Sequence, residues 1–190
     1  MPRQGIAGLA IASFALLLAG CEPAAPAAQS TALTSPPAVA MRGAQWSLAA
    51  RDWRSYANSF SADACKNYSR TWLNMASAPG QAADNPFTHV LVRHGVDADA
   101  IAQLSWTVNP PGEAQLDAAL ANVQDERALM ADVFYALQAR GGLEMFIQGM
   151  AGDILEVQQT PTTASIRLEG GRRIGMLLGS DGWKINGFER

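Results

Sequence analysis

Thr163-Ala164-Ser165-Ile166-Arg167-Leu168-Glu169-Gly170-Gly171-Arg172-Arg173-Ile174-Gly175-Met176-Leu177-Leu178 decides the fold of this chain. Ala164, Ile166 and Leu168 alternate with Ser165 and Arg167, the two-residue period of a strand with one buried face. Glu169-Gly170-Gly171 reads as a hairpin turn, because glycine takes positive φ without steric cost. Ile174, Met176 and Leu178 then resume the alternation. Upstream, Ile154-Leu155-Glu156-Val157 reads as a strand and Thr160-Pro161 as the turn after it. Downstream, Gly179-Ser180-Asp181-Gly182 turns the chain into a last strand with Trp183, Ile185 and Phe188. The C-terminal end is therefore an antiparallel meander of about four strands with one apolar face.

Before the meander the period is helical. Trp46, Ala49, Trp53, Ala57 and Phe60 fall three and four apart and predict one apolar stripe, with Arg51, Asp52, Arg54 and Ser55 on the other side. Ser61 is placed to cap a second helix, with Asp63 in its first turn and Cys65, Tyr68, Trp72 and Met75 facing inward. Pro79-Gly80 breaks that helix. Asn85 is an N-cap, Pro86 the first helical residue, and Phe87, Val90, Leu91 and His94 follow up to Gly95 in a left-handed cap. A short helix is expected from Asp97 to Leu104, and Asn109-Pro110-Pro111-Gly112 interrupts the chain. A long helical segment from about Glu113 to Arg140 buries Leu116, Leu120, Val123, Met130, Phe134 and Leu137. Gly141-Gly142 ends it, and Leu143 to Met150 has room for one more short helix. Helices first and strands last predict the α+β class, with N-terminal helices packed on one face of the C-terminal antiparallel meander.

The 190 residues include 14 basic and 17 acidic side chains. A weakly acidic chain without a basic stripe is a poor binder of nucleic acid, so no nucleic-acid partner is expected. Arg172-Arg173 reads as an exposed strand end rather than a phosphate site. His89 and His94, without cysteine partners, are too few for a structural zinc cage, and neither metal nor cofactor is expected. Cys65 reads as a small buried hydrophobe on its helix. No repeat period of a solenoid occurs.

The first forty residues differ from the rest. Arg3 and the amino terminus make a positive start, and no acidic residue comes before Glu22. An apolar core runs from Ile6 to Leu18, too short to span a bilayer comfortably. Leu18-Ala19-Gly20-Cys21 follows. That stretch resembles the lipobox of bacterial lipoproteins. The resemblance implies a signal peptide over residues 1–20, cleavage before Cys21, a diacylglyceryl group on its thiol and, usually, acylation of the new amino group. Cys21 is thus the expected lipid attachment residue, with palmitate-type chains as the membrane partner. Glu22, where the enterobacterial retention rule has aspartate, favours the outer membrane and its periplasmic face. The alternative is an ordinary secretory signal cut near Ala24 and Ala25. Residues 21–40, rich in Ala, Pro, Ser and Thr, read as an extended tether in which Pro36-Pro37 builds neither helix nor sheet. Residues 41–190 are then one α+β domain. Without residues 1–20 the chain has 13 basic and 17 acidic residues, a net charge of −4.

Leu91-Val92-Arg93-His94-Gly95 is similar to the Arg-His-Gly signature of the histidine phosphatase superfamily. That chemistry needs a strand end and a downstream histidine. Here the local pattern is helical and no histidine follows His94, so a basic helix C-terminus explains the same residues.

Two further segments resemble the NTF2-like superfamily. Ser47-Leu48-Ala49-Ala50-Arg51-Asp52-Trp53-Arg54-Ser55-Tyr56-Ala57-Asn58-Ser59-Phe60 is similar to its opening helix, and Asp181-Gly182-Trp183-Lys184-Ile185 to its closing strand. The resemblance implies a cone-shaped α+β domain, and in the superfamily's isomerases a carboxylate base with an oxyanion donor. Tyr68, Asp153 and Asp181 have that chemistry, but no spacing places them together, so no catalytic residue is assigned. The expectation is a membrane-anchored periplasmic lipoprotein, non-enzymatic, binding a small apolar ligand or an envelope protein. The alternatives are an NTF2-like pocket enzyme, an isomerase or hydrolase of the envelope, and a purely structural lipoprotein with an exposed apolar patch.

Overall fold

The computed structural model describes residues 29–31, 33–78, 85–104, 110–141, 143–144 and 149–189. Seven helices come first: α1 (Pro36–Ala49), α2 (Trp53–Asn58), α3 (Ala62–Ala76), α4 (Pro86–Arg93), α5 (Ala98–Gln103), α6 (Glu113–Ala119) and α7 (Glu126–Ala139). Strand β1 (Gln29–Thr31) precedes them, and β2 (Ile154–Gln159), β3 (Thr163–Leu168), β4 (Arg173–Gly179) and β5 (Gly182–Glu189) follow. The fold is α+β, as the periodicities predict.

The four C-terminal strands form the expected meander, and β1 adds a fifth in the order β1-β2-β3-β4-β5, antiparallel throughout. Val157, Ala164, Ile166, Leu168, Ile174, Met176 and Ile185 fill the inner face and are buried. The opposite face is polar. There Arg167 donates to Glu156 (2.9 Å), Gln158 donates to Glu156 (2.8 Å), and Ser165 donates to Glu189. One apolar face and one solvated face explain why helices cover the sheet on one side only.

Helix ends follow side-chain chemistry. Ser61 Oγ accepts from Ala64 N–H, Asn85 Oδ1 from Phe87 N–H, and Asp97 Oδ1 from Asp99 N–H. Gly95, at φ +96°, closes α4 where the left-handed cap is expected. A Cβ on Gly95 would meet the Asn122 carbonyl oxygen at 3.1 Å.

Three expectations change. The tether does not extend to residue 40: β1 pairs with β2, and Pro36 and Pro37 open α1 rather than prevent it. The first turn of a helix has no partner for its N–H groups, so proline costs nothing there. The stripe from Trp46 to Phe60 is not one helix. It breaks at Arg51, and α1 buries Met41, Ala44 and Ser47 while Trp46 is 78% exposed and Ala49 is also exposed. The segment from Glu113 to Arg140 is likewise two helices, because Asp125 leaves the helix to accept from Ala128 N–H (2.9 Å) and starts α7 afresh. Residues 1–20, expected as a signal peptide, Cys21, and residues 145–148 of the short helix expected over 143–150 lie outside the described residues.

The helical core centres on aromatic rings. Phe134 of α7 stacks on Trp53 (5.5 Å) and meets Tyr56 (5.5 Å) and Trp72 (5.9 Å) edge-on. Tyr56, Phe60, Tyr68 and Trp72 continue the chain of contacts. Such pairs add about 0.5–1.5 kcal/mol each beyond area burial. The segment Ser59–Ser61 joins helices to sheet: Ile185 N–H donates to Ser59 O (2.8 Å), and Ser61 N–H donates to Ile185 O (2.8 Å).

Candidate functional site

The end of α1 builds one wall of a cleft of about 730 Å³. Asp52 N–H reaches back to Ser47 O (2.9 Å) and Arg51 N–H to Leu48 O (3.1 Å), which is a Schellman ending. The left-handed position of that ending normally holds glycine. Here it holds Arg51 at φ +56°, the one non-glycine residue with positive φ among the described residues. An L side chain in that conformation costs about 1–2 kcal/mol.

The opposite wall is the loop Met150–Asp153 that leads into β2, together with Glu169 of the β3–β4 turn. Gln45 ties the walls together. Its side-chain amide donates to Met150 O (3.0 Å) and Gly152 O (2.8 Å). Glu169 N–H donates to Asp153 O (2.8 Å). Gly152 is required at this junction. Its φ is +106°, and a Cβ there would stand 3.2 Å from both the Cβ and the carbonyl oxygen of Glu169.

Four charged side chains line the cleft: Arg51, Glu144, Asp153 and Glu169. None of them makes an ion pair among the described residues. Three carboxylates face one guanidinium, and the carbonyl end of α1 adds partial negative charge. Leu48, Ala49, Met150 and Ala151 supply an aliphatic lining. The volume lies in the range of small-ligand sites. The chemistry favours a cationic group with an aliphatic body.

The residues with isomerase-like chemistry are not brought together. Asp153 lines this cleft. Tyr68 lies on α3 in a separate groove with Arg172 and Phe188, and burial pushes its hydroxyl above the ordinary range. Asp181 is exposed and pairs with Lys184 at 3.0 Å, which holds its carboxyl below the ordinary range. Cys65 is buried, with Sγ 3.8 Å from Met130 Sδ, and burial pushes its thiol up to about 11. That is the small buried hydrophobe its position predicts.

Arg93 and His94 are placed as a basic helix end. Arg93 Nη2 and His94 Nε2 both lie 3.0 Å from Asp132 Oδ2 on α7, with His94 as the C-cap of α4. No group of His, Cys, Asp and Glu suited to a metal ion occurs among the described residues.

Sequence reading does not find Gln45, Arg51, Glu144 and Glu169. Asp52, a capping residue set inside an apparent stripe, is the signal that α1 ends before it: Asp52 Oδ1 accepts from Ser55 N–H at 3.1 Å.

No protein-family model, curated protein or solved structure matches this chain.

Proposed function

We propose that this chain is a bacterial lipoprotein, held by acyl chains on Cys21 at the periplasmic face of the outer membrane, whose domain binds a ligand without transforming it. The observation that carries the binding role is the cleft at the end of α1. Among the described residues its four charged groups have no ion-pair partners, and one of them sits on strained backbone. Strain of that kind persists where the surrounding structure imposes it, often at sites of recognition. The ligand class is an amphipathic small molecule with a cationic group, or an envelope protein presenting a Lys or Arg side chain.

An NTF2-like architecture is part of this reading. The two segments that carry the resemblance meet in space, because Phe60 and Ile185 pair as a parallel bridge between the helices and β5. The inner sheet face is filled by side chains, which weighs against an isomerase pocket there.

Two experiments test the proposal. A palmitate analogue fed to producing cells labels the wild type, whereas Cys21→Ser loses the label and leaves the membrane fraction. Equal labelling of both removes the lipoprotein reading. In the second, short alkylamines raise the melting temperature and the matching alkyl carboxylates do not. The Asp153→Asn, Glu169→Gln double variant abolishes the shift. A protein indifferent to both classes lacks the proposed site.

A further inference from the structure

Building on the lipoprotein reading, we propose that the outward face of α1 is a bilayer-docking surface that lays this helix on the anionic membrane holding the Cys21 anchor. Val39, Gly43, Trp46 and Ala50 follow the i, i+4, i+7, i+11 spacing that lines up one side of a helix. Val39 is 57% exposed and Trp46 is 78% exposed. At Gly43 a Cβ would meet nothing within 4 Å, so the face is open between them. An indole presented to water at this level is unusual for a core-forming residue. It suits the headgroup region, where the ring is half-apolar and its N–H stays wet.

Charge distribution selects the partner. Helix α1 contains no acidic residue, and Arg42 flanks the exposed stripe. Residues 33–60 contain three arginines and one aspartate, a net +2, whereas residues 61–190 contain ten basic and fifteen acidic side chains, a net −5. Helix α1 itself thus carries a net +1 on an acidic molecule, and the carboxylates that line the cleft stand at its C-terminal end. Anionic lipid attracts basic residues, and a basic helix with an apolar stripe lies in the interface. Among the described residues no helix is long and apolar enough to cross a membrane, so α1 rests on the surface.

Proximity supplies the rest. Gln29, the first residue of β1, is eight positions after Cys21. At about 3.3–3.6 Å per residue, an acylated Cys21 holds the sheet edge within about 29 Å of the bilayer. At that effective concentration a weak surface contact is sufficient.

The test uses the full-length protein, extracted from membranes and reconstituted in vesicles of phosphatidylethanolamine and phosphatidylglycerol with brominated or ordinary acyl chains. Intact mass reports acylation, and tryptophan emission reports depth. Bromine is expected to remove up to roughly one fifth of the wild-type emission, the share of one tryptophan in five. Trp46→Phe is expected to abolish that loss, and Arg42→Glu to reduce it. Acylated, vesicle-bound protein with identical quenching in wild type and Trp46→Phe overturns the docking surface and leaves the lipoprotein reading standing. An unmodified Cys21 overturns both. Trp46 emission that responds to protein density but not to bromine assigns the face to a second copy of the chain, and likewise overturns the proposal.

Discussion

Helices α1 and α7 are each fourteen residues long, yet they use their length in opposite ways. Helix α7 turns Leu129, Met130, Val133, Phe134 and Leu137 into the core. Helix α1 buries mainly small groups, Pro37, Ala38, Ala44 and Ser47, with Met41 its one long apolar contribution. Its one aromatic residue points away from the protein. The lesson is that length and mean apolarity do not distinguish a core helix from a surface-facing one. The phase of the large side chains does, and that phase is set by where each helix begins and ends.

The sharpest way to break this contrast is Phe134→Ala. The substitution removes the ring shared by Trp53, Tyr56 and Trp72, and a loss of about 3–5 kcal/mol is expected in urea unfolding at neutral pH. A loss below about 1 kcal/mol would show that α7 is not the centre of the core.

Next in size is Arg51→Gly at the end of α1. Glycine relieves the left-handed strain, so stability should rise by about 1 kcal/mol in thermal unfolding. The same variant should tighten binding of the alkylamines, because it removes the positive charge that stands beside three carboxylates in the cleft. A neutral or destabilising result would mean that the Arg51 side chain makes a compensating contribution to the fold.

A smaller effect comes from the polar tie between α3 and α6. Arg70 donates two hydrogen bonds to Asp117, both at 2.7 Å, and Lys66 stands 3.4 Å away. The Arg70 hydrogen bonds hold the Asp117 carboxyl at about 2, below its ordinary 3.8. A folded-state value below the unfolded one means the contribution is complete above about pH 4 and fades as the pH falls through about 2. Melting curves of wild type and Asp117→Asn should therefore differ at pH 6 and converge towards pH 2. Added salt should shrink the difference, because the pair is only half-buried and still reaches solvent. A gap that persists at pH 2 would point to packing rather than charge.

The smallest expected effect is Trp46→Ala on α1. Stability should stay within about 0.5 kcal/mol, since this ring is largely in water. A cost comparable to Phe134→Ala would erase the distinction between the two helices.

Much of the fold was legible because local chemistry and global packing agree. The alternation around Ile166 and Ile174, the glycine turn between them, and the caps Ser61, Asn85 and Asp97 are short-range signals. Tertiary contacts did not override them. The candidate site was not legible. Its walls come from residues about a hundred positions apart, as Gln45 and Gly152 show, and no spacing rule brings a helix end to a strand entry.

The sequence alone determined the order of helices and strands, the inward face of the meander except at Leu178 and Phe188, which are exposed, and the chemistry of most helix ends, because each depends on neighbours within a turn or a strand pair. The tertiary structure alone decided that Pro36-Pro37 begins a helix, that Trp46 faces solvent, and that Arg51 joins Glu144, Asp153 and Glu169 around one cleft. The last of these depends on where α1 stops. That point was settled by backbone hydrogen bonds at Ser47 and Leu48 and by the cap at Asp52, rather than by apolar periodicity.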